Sequence, residues 1–277
     1  MLILLEYMNT YFIKLGGSVI TDTSKPYTAN ISRIRSILGK IKEAQAKGRM
    51  KVLIGHGGGS FPHIPAHKYK INDGLVHKFS WKGASITHYI AEELNRIVVN
   101  EGLKLGLKVF SFVPSSFALW HDGLPQSGYA ENIKEALNRG FVPVVYGDAV
   151  FDSRKGVTIA STENVFCFLS KWIRPSRVIL ATDVDGVFDK DPKSNKDAKL
   201  IKVIDSTNID KVLNGASGSH KIDVTGGMAS KLATLYQIVK QNDSMGIIVN
   251  GLKSQALAMA LKRNIDEESG YFTVVKP

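Results

Sequence analysis

Tyr11-Phe12-Ile13-Lys14-Leu15-Gly16-Gly17-Ser18 is a short apolar run, carrying one lysine, that stops at two glycines. Its first five residues read as a strand and the glycines as its exit. The same design recurs along the chain. Lys51-Val52-Leu53-Ile54 runs into Gly55-His56-Gly57-Gly58-Gly59, Phe141-Val142-Pro143-Val144-Val145-Tyr146 into Gly147-Asp148, and Arg177-Val178-Ile179-Leu180-Ala181-Thr182 into Asp183-Val184-Asp185-Gly186. Residues 108–113 and 246–250 read as two further strands. Between the strands, apolar residues recur at helical spacing: Ile31, Ile34, Ile37, Leu38 and Ile41 within 30–48, and Ile90, Leu94, Ile97 and Val98 within 86–101. Residues 131–138, 165–171, 229–241 and 254–263 read as further helices. Apolar strands alternating with helices predict an α/β fold, a mostly parallel sheet with helices on both faces. Such sheets bind ligands beyond the carboxyl ends of their strands, which is where the glycines fall. No repeat or low-complexity linker divides the chain, and a soft boundary near residue 170 separates 1–170 from 171–277.

The bulk composition narrows the function classes. With 277 residues and 44% hydrophobic content, the chain can bury a sizeable core as one large domain or two joined lobes. Its one cysteine, Cys167, rules out an intrachain disulfide and sits in an apolar run, so it reads as a small buried hydrophobe. The net charge of +11 fits a polyanionic small substrate such as a nucleotide. The basic residues are scattered, with no arginine-rich tail, which argues against nucleic acid. No apolar run approaches the ~20 residues that span a bilayer. The apolar start, Met1 to Leu5, lacks a basic flank and is interrupted by Glu6, so we expect no signal peptide and a cytoplasmic protein. Met8 directly precedes the first strand, so residues 1–7 read as an upstream extension or a misassigned start.

Four strand exits carry the chemistry. At Lys14-Leu15-Gly16-Gly17-Ser18 consecutive glycines let backbone N–H groups approach phosphate oxygens, and Lys14 supplies positive charge. The Walker A spacing is absent. At Gly57-Gly58-Gly59-Ser60-Phe61-Pro62-His63 three glycines cost roughly 0.5–1 kcal/mol each in backbone entropy relative to alanine. That cost implies that something passes close to the backbone, and a second anion site is the natural candidate, with His63 as a phosphate donor. Asp183 and Asp185 suit a ribose or a magnesium ion, although Asp-x-Asp-Gly also caps many ordinary turns. Asp223-Val224-Thr225-Gly226-Gly227-Met228 opens a helix whose N-terminus would meet phosphate, with Lys231 one turn in.

Taken in order, these motifs resemble the amino acid kinase superfamily over nearly the whole chain. Gly59-Ser60-Phe61 followed by His63, with Pro143-Val144-Val145-Tyr146-Gly147-Asp148, is most similar to the isopentenyl phosphate kinase family of archaeal type. The resemblance implies a three-layer αβα sandwich, an acceptor lobe at 1–170, a nucleotide lobe at 171–277 and a homodimer. It implies ATP and Mg2+ as cofactors, a small-molecule phosphate substrate and no separate protein-held metal site. Lys14, His63 and Lys231 would be catalytic. ATP would meet Lys14, Gly16, Gly17, Ser18, Gly59, Thr182, Asp183, Asp185, Gly226, Gly227 and Lys231. The acceptor would meet Gly57, Gly58, His63, Gly147, Asp148 and Ser161.

Three positions depart from the family pattern. Ser161-Thr162-Glu163 stands where the family has Ser-Gly-Asp, so Glu163 either organises the lysines or leaves them unorganised. The family often places a lysine two residues after the equivalent of Thr21-Asp22; this chain has Thr23 directly after that pair and Lys25 beyond it, and whether Lys25 reaches the site is open. Pro62 replaces a glycine and restricts the turn before His63. An isoprenoid tail would need an apolar pocket, for which Phe79, Trp81, Ile86 and Tyr89 are candidates, with helix core as the plainer reading. Other superfamily kinases, using a different phosphate, a phosphonate or a carboxylate, and a non-catalytic nucleotide binder are the alternatives.

Overall fold

The computed structural model describes residues 9–48, 50–192, 194–214 and 226–277. Residues 223–225 of the fourth motif, and the apolar start with its question of the first codon, lie outside the described residues. Among the described residues the strands run in chain order as β1 Thr10–Leu15, β2 Lys51–His56, β3 Val109–Ser111, β4 Ala118–His121, β5 Leu124–Gly128, β6 Val142–Tyr146, β7 Asp148–Asp152, β8 Gly156–Ala160, β9 Arg177–Thr182, β10 Val203–Ile204, β11 Met245–Asn250 and β12 Phe272–Val275. The helices are α1 Gly17–Ile20, α2 Ile31–Gly48, α3 His63–Lys68, α4 Ser80–Lys104, α5 Pro114–Phe117, α6 Glu131–Asn138, α7 Thr162–Ile173, α8 Ile209–Leu213, α9 Gly226–Asn242 and α10 Ser254–Ala260.

Eight strands form the central sheet in the order β10-β12-β11-β9-β1-β2-β6-β3. All neighbours are parallel except β11 with β12. Both faces are buried, as the apolar strands predict. In β1, Ile13 and Leu15 point into one core with Ile34, Leu38 and Ile41 of α2, Leu94 of α4 and Leu257 of α10. Phe12 points into the other, with Ile133 of α6, Phe166 of α7 and Leu235 of α9. Each fully buried side chain of this size contributes roughly 1.5–3 kcal/mol. The result is the expected three-layer αβα sandwich. Cys167 lies in the second core, where burial pushes its thiol up, as a small hydrophobe should behave.

A second sheet, β5-β4-β7-β8, has antiparallel pairs at β4–β5 and β7–β8. The apolar-run reading does not foresee it. Asp152 holds its turns together by accepting from the backbone N–H groups of Asp122, Gly123, Arg154 and Lys155. Those bonds outweigh the desolvation that raises its carboxyl and bring it down to about 2.

Candidate active site

The carboxyl ends of β1, β2 and β9 open into one cleft of about 460 Å3. Backbone contacts bring the strand exits together. Gly16 N–H donates to Ala181 O at 2.8 Å, and a Cβ at Gly16 would stand 2.7 Å from that oxygen. A Cβ at Gly17 would lie 2.3 Å from Gly59 N. Gly59 has φ +53°, and a Cβ there would lie 2.1 Å from Thr21 Oγ1. The exits of β1 and β2 therefore pack backbone against backbone, which is one physical use of the glycines that the chain pattern alone does not reveal. Thr21 joins the two loops: its hydroxyl donates to Gly17 O at 2.8 Å and accepts from Ser60 N–H at 3.1 Å. A lone threonine after a glycine loop carries no sequence signal for this task.

Helix α7 supplies the acid. A Cβ at Gly55 would overlap Thr162 and Phe166, so this glycine lets α7 lie close against β2. Ser161 caps the helix, accepting from Asn164 N–H at 3.1 Å. Thr162 Oγ1 donates to His56 O at 2.7 Å, tying the helix start to the end of β2. Glu163, in the first turn, meets Lys14 Nζ in a hydrogen-bonded ion pair with both side chains buried. Burial alone would raise the Glu163 carboxyl, but the Lys14 charge and hydrogen bond prevail and hold it below its usual value. Thr162-Glu163 therefore engages a lysine of the cleft directly.

Lys231 and His63 face the same space. Lys231, one turn into α9, donates to Gly227 O at 3.0 Å. Burial and then the Lys14 charge lower its ammonium, against opposing effects from Glu163 and Asp183. His63 begins α3, and its imidazole is lowered by burial and then by Lys14 and Lys231. Lys14, Lys231 and His63 all line the one cleft. Pro62 adopts φ −71°, ordinary for proline, and His63 lines the cleft.

The cleft brings together Lys14, Gly16, Gly17, Ser18, Gly57, Gly58, Gly59, His63, Ser161, Glu163, Thr182, Asp183, Gly227 and Lys231. Leu180, Ala181, Met228 and Ser230 also line it, with nothing in their residue types to announce them. Asp148 points elsewhere, bonded to His88 Nδ1 at 2.8 Å, and Gly147 packs near Ala160 O. Asp185 accepts from Asn250 Nδ2 at 2.9 Å and pairs with Lys253, stapling the β9 exit to β11. Gly226 is the first residue of α9. Lys25 lines a neighbouring groove rather than the cleft. Phe79, Trp81 and Tyr89 are more than half exposed, so they do not form helix core, and Tyr89 lines a separate, largely polar groove with Tyr27, Glu92, Glu93 and Arg96. A cavity of about 160 Å3 lies instead where α4 faces β7 and β8, lined by Ala84, Ser85, His88, Ala149, Val150 and Val157 among others.

The chain matches the amino acid kinase family over residues 9–250. It is 34% identical to the isopentenyl phosphate kinase of Methanocaldococcus jannaschii over 261 residues, covering 92% of this chain and 95% of that one. It is likewise 34% identical to the isopentenyl phosphate kinase of Thermoplasma acidophilum, covering 95% of this chain and 99% of that one. A solved structure of an isopentenyl phosphate kinase superimposes with a TM-score of 0.78 and 29% identity, over 96% of this chain and all of that one.

Proposed function

This chain belongs to the amino acid kinase family, and from that premise we propose that it transfers the γ-phosphoryl group of ATP to isopentenyl phosphate. The product is isopentenyl diphosphate, for isoprenoid biosynthesis. The observation that carries the reading is the meeting of Lys14, Glu163, Lys231 and His63 in one glycine-lined cleft.

Phosphoryl transfer needs alignment and neutralisation of charge more than covalent help from the protein. An oxygen of the acceptor phosphate forms a bond to the γ-phosphorus as the bond to the β,γ-bridging oxygen breaks, and ADP departs. That oxygen is already anionic, so no general base is required. In our reading Lys14 and Lys231 flank the migrating group, with Glu163 fixing the Lys14 ammonium. The N–H groups of Gly17 and Ser18 face the ATP phosphates, joined by Gly59, Gly226 and Gly227, while Gly16, its own N–H bonded to Ala181 O, lets the loop pass close to them, and the rest of the nucleotide lies toward Thr182 and Asp183. Gly57, Gly58 and His63 hold the acceptor phosphate, near the Ser161 cap. The depressed imidazole of His63 stays neutral near pH 7 and donates one N–H. Asp185 and Asp148 then act at one remove, through Asn250 and Lys253 and through His88.

Magnesium neutralises charge on the nucleotide phosphates when it is bound. Such ions are commonly held by one or two carboxylates plus substrate phosphates. Among the described residues there is no cluster of three metal-ligating side chains, and Asp183 offers a carboxylate at the cleft wall. That donor set fits an ion carried in with ATP, with Asp183 holding it. We place the isoprenoid tail in the cavity of Ala84, Val150 and Val157, whose walls are largely apolar. The division into an acceptor lobe at 1–170 and a nucleotide lobe at 171–277, a homodimer and a cytoplasmic location complete the proposal. Among the described residues no helix is long and apolar enough to cross a membrane.

The test is ATP consumption with isopentenyl, dimethylallyl and geranyl phosphates, against fosfomycin and glutamate as contrasts. Isopentenyl phosphate should be the preferred acceptor, and His63→Ala should sharply weaken its use. Preference for glutamate, or near-normal kinetics in that variant, would overturn the assignment of the acceptor.

A further inference from the structure

A second groove, of about 600 Å3, adjoins the cleft and has no part in the mechanism above. It shares Thr23, Gly59 and His63 with the cleft as common walls. Its other polar walls are Ser24 and Lys25, from the loop after α1, and His67 and Lys68, from the end of α3. Among the described residues no carboxylate lines it. Lys68 lies 5.4 Å from the Tyr69 ring and forms no ion pair among the described residues. Lys25 stands 4.0 Å from Asp22, whose carboxylate already accepts from Ser24 N–H and Oγ. Ser60, also in the wall, is 7% exposed, and its hydroxyl has no hydrogen-bond partner.

These features share one physical explanation. A buried hydroxyl without a partner carries an unrecovered desolvation cost, which an arriving acceptor atom would recover. Two ammonium groups beside it, with no carboxylate among the described wall residues, leave positive charge to be met from outside, and the His67 ring adds a hydrogen-bonding nitrogen. Anionic oxygens bound by charge-assisted hydrogen bonds answer both needs. We propose that this groove is a second phosphate-binding site, taking a diphosphate group, the chemical class of the reaction's own product. The natural ligand rests on the kinase reading; the site does not. With His63 as the partition, an occupant places negative charge beside the acceptor phosphate and opposes its binding. Accumulated diphosphate would thus slow the enzyme by weakening acceptor affinity.

The experiment is calorimetric titration of the full chain with inorganic pyrophosphate, and separately with isopentenyl diphosphate, at fixed ionic strength. Wild type should show two classes of site for isopentenyl diphosphate, one of which also takes inorganic pyrophosphate. Lys25→Ala/Lys68→Ala should weaken that shared class by at least about tenfold, while turnover without diphosphate stays within about twofold of wild type. Lys25→Arg/Lys68→Arg should retain it, which separates charge from folding. A single class in wild type, an unchanged isotherm in the alanine variant, or a groove that takes isopentenyl diphosphate but not pyrophosphate would overturn the proposal. Two intact classes in a protein that phosphorylates no prenyl phosphate would sink the kinase reading and leave the groove standing.

Discussion

The phosphate end of the cleft and the cavity between α4 and the second sheet are built by opposite means. At the phosphate end the backbone does the work: Gly17 and Gly59 meet without room for a Cβ, and the charged side chains that reach in are braced by neighbours. At the cavity the side chains do the work. Ala84 and His88 come from one helix, Ala149, Val150 and Val157 from a hairpin, and the His88–Asp148 bond of 2.8 Å clamps the two together. That bond raises the His88 imidazole more than burial lowers it. The contrast teaches where change is tolerated. A backbone-built site admits almost no substitution, whereas a side-chain-built cavity can be resized by one residue.

The largest expected effect is at the charged pair of the phosphate end. Glu163→Gln removes the counter-charge of Lys14 while preserving shape, and kcat should fall by about a hundred- to a thousandfold, the usual scale for losing a preorganised electrostatic partner. KM for both substrates should move far less. Steady-state kinetics with a circular dichroism control would check this, and near-normal kcat would show that Glu163 is only packing.

Next comes the pH dependence of stability. His56 is buried beneath the glycine loop, its ring 5.5 Å from Tyr146, and burial holds its imidazole down at about 4. The unfolded chain, with an ordinary value near 6.5, binds the proton more readily, so stability is present above pH 6.5 and lost as pH falls toward 4. The loss from this residue should reach about 3 kcal/mol at most. Denaturant titrations across that window should be flatter for His56→Gln. An equal slope in that variant would remove His56 from the account.

Thr21→Val tests the tie between the two glycine loops. It keeps the shape, and Gly17 O keeps its bond from the residue-21 backbone N–H, but the Ser60 N–H is stranded, at about 1–3 kcal/mol. Acceptor KM and kcat should both worsen, and Thr21→Ser should restore them. The smallest effect is at the cavity. Val157→Phe should raise KM for isopentenyl phosphate by about tenfold, leaving ATP affinity and stability nearly unchanged, in line with the 1–3 kcal/mol that hydrophobic pockets contribute to discrimination. A change in ATP affinity instead would break the separation of the two regions.

This contrast also explains what was legible in the sequence. Apolar strands that end in glycines announce a parallel sheet and its ligand edge, so Lys14, the two glycine loops and Lys231 could be read directly. Ser161-Thr162-Glu163 was readable as a departure, but only packing shows Gly55 making room for α7 to deliver Glu163 to Lys14. The triple glycine announces room for an anion; in the structure it also leaves room for a neighbouring loop. Leu124–Gly128 has no strand-like alternation, so the second sheet, and with it the cavity, went unread. The aromatics Phe79, Trp81 and Tyr89 suggest a tail pocket by residue type, yet all three are more than half exposed, Trp81 and Tyr89 on α4 and Phe79 just before it. Asp148 and Asp185 drew notice for their motifs, while their partners His88, Asn250 and Lys253 lie far away in sequence.

The central claim is transfer from ATP to a phosphate held at the glycine loop of His63. Phosphorus NMR of the full chain with ATP, magnesium and isopentenyl phosphate tests it most directly. The account predicts that the acceptor monophosphate signal is replaced by a coupled diphosphate pair as ATP becomes ADP, and that Glu163→Gln slows both changes together. Conversion of ATP to ADP with free phosphate appearing and the acceptor signal unchanged would contradict it.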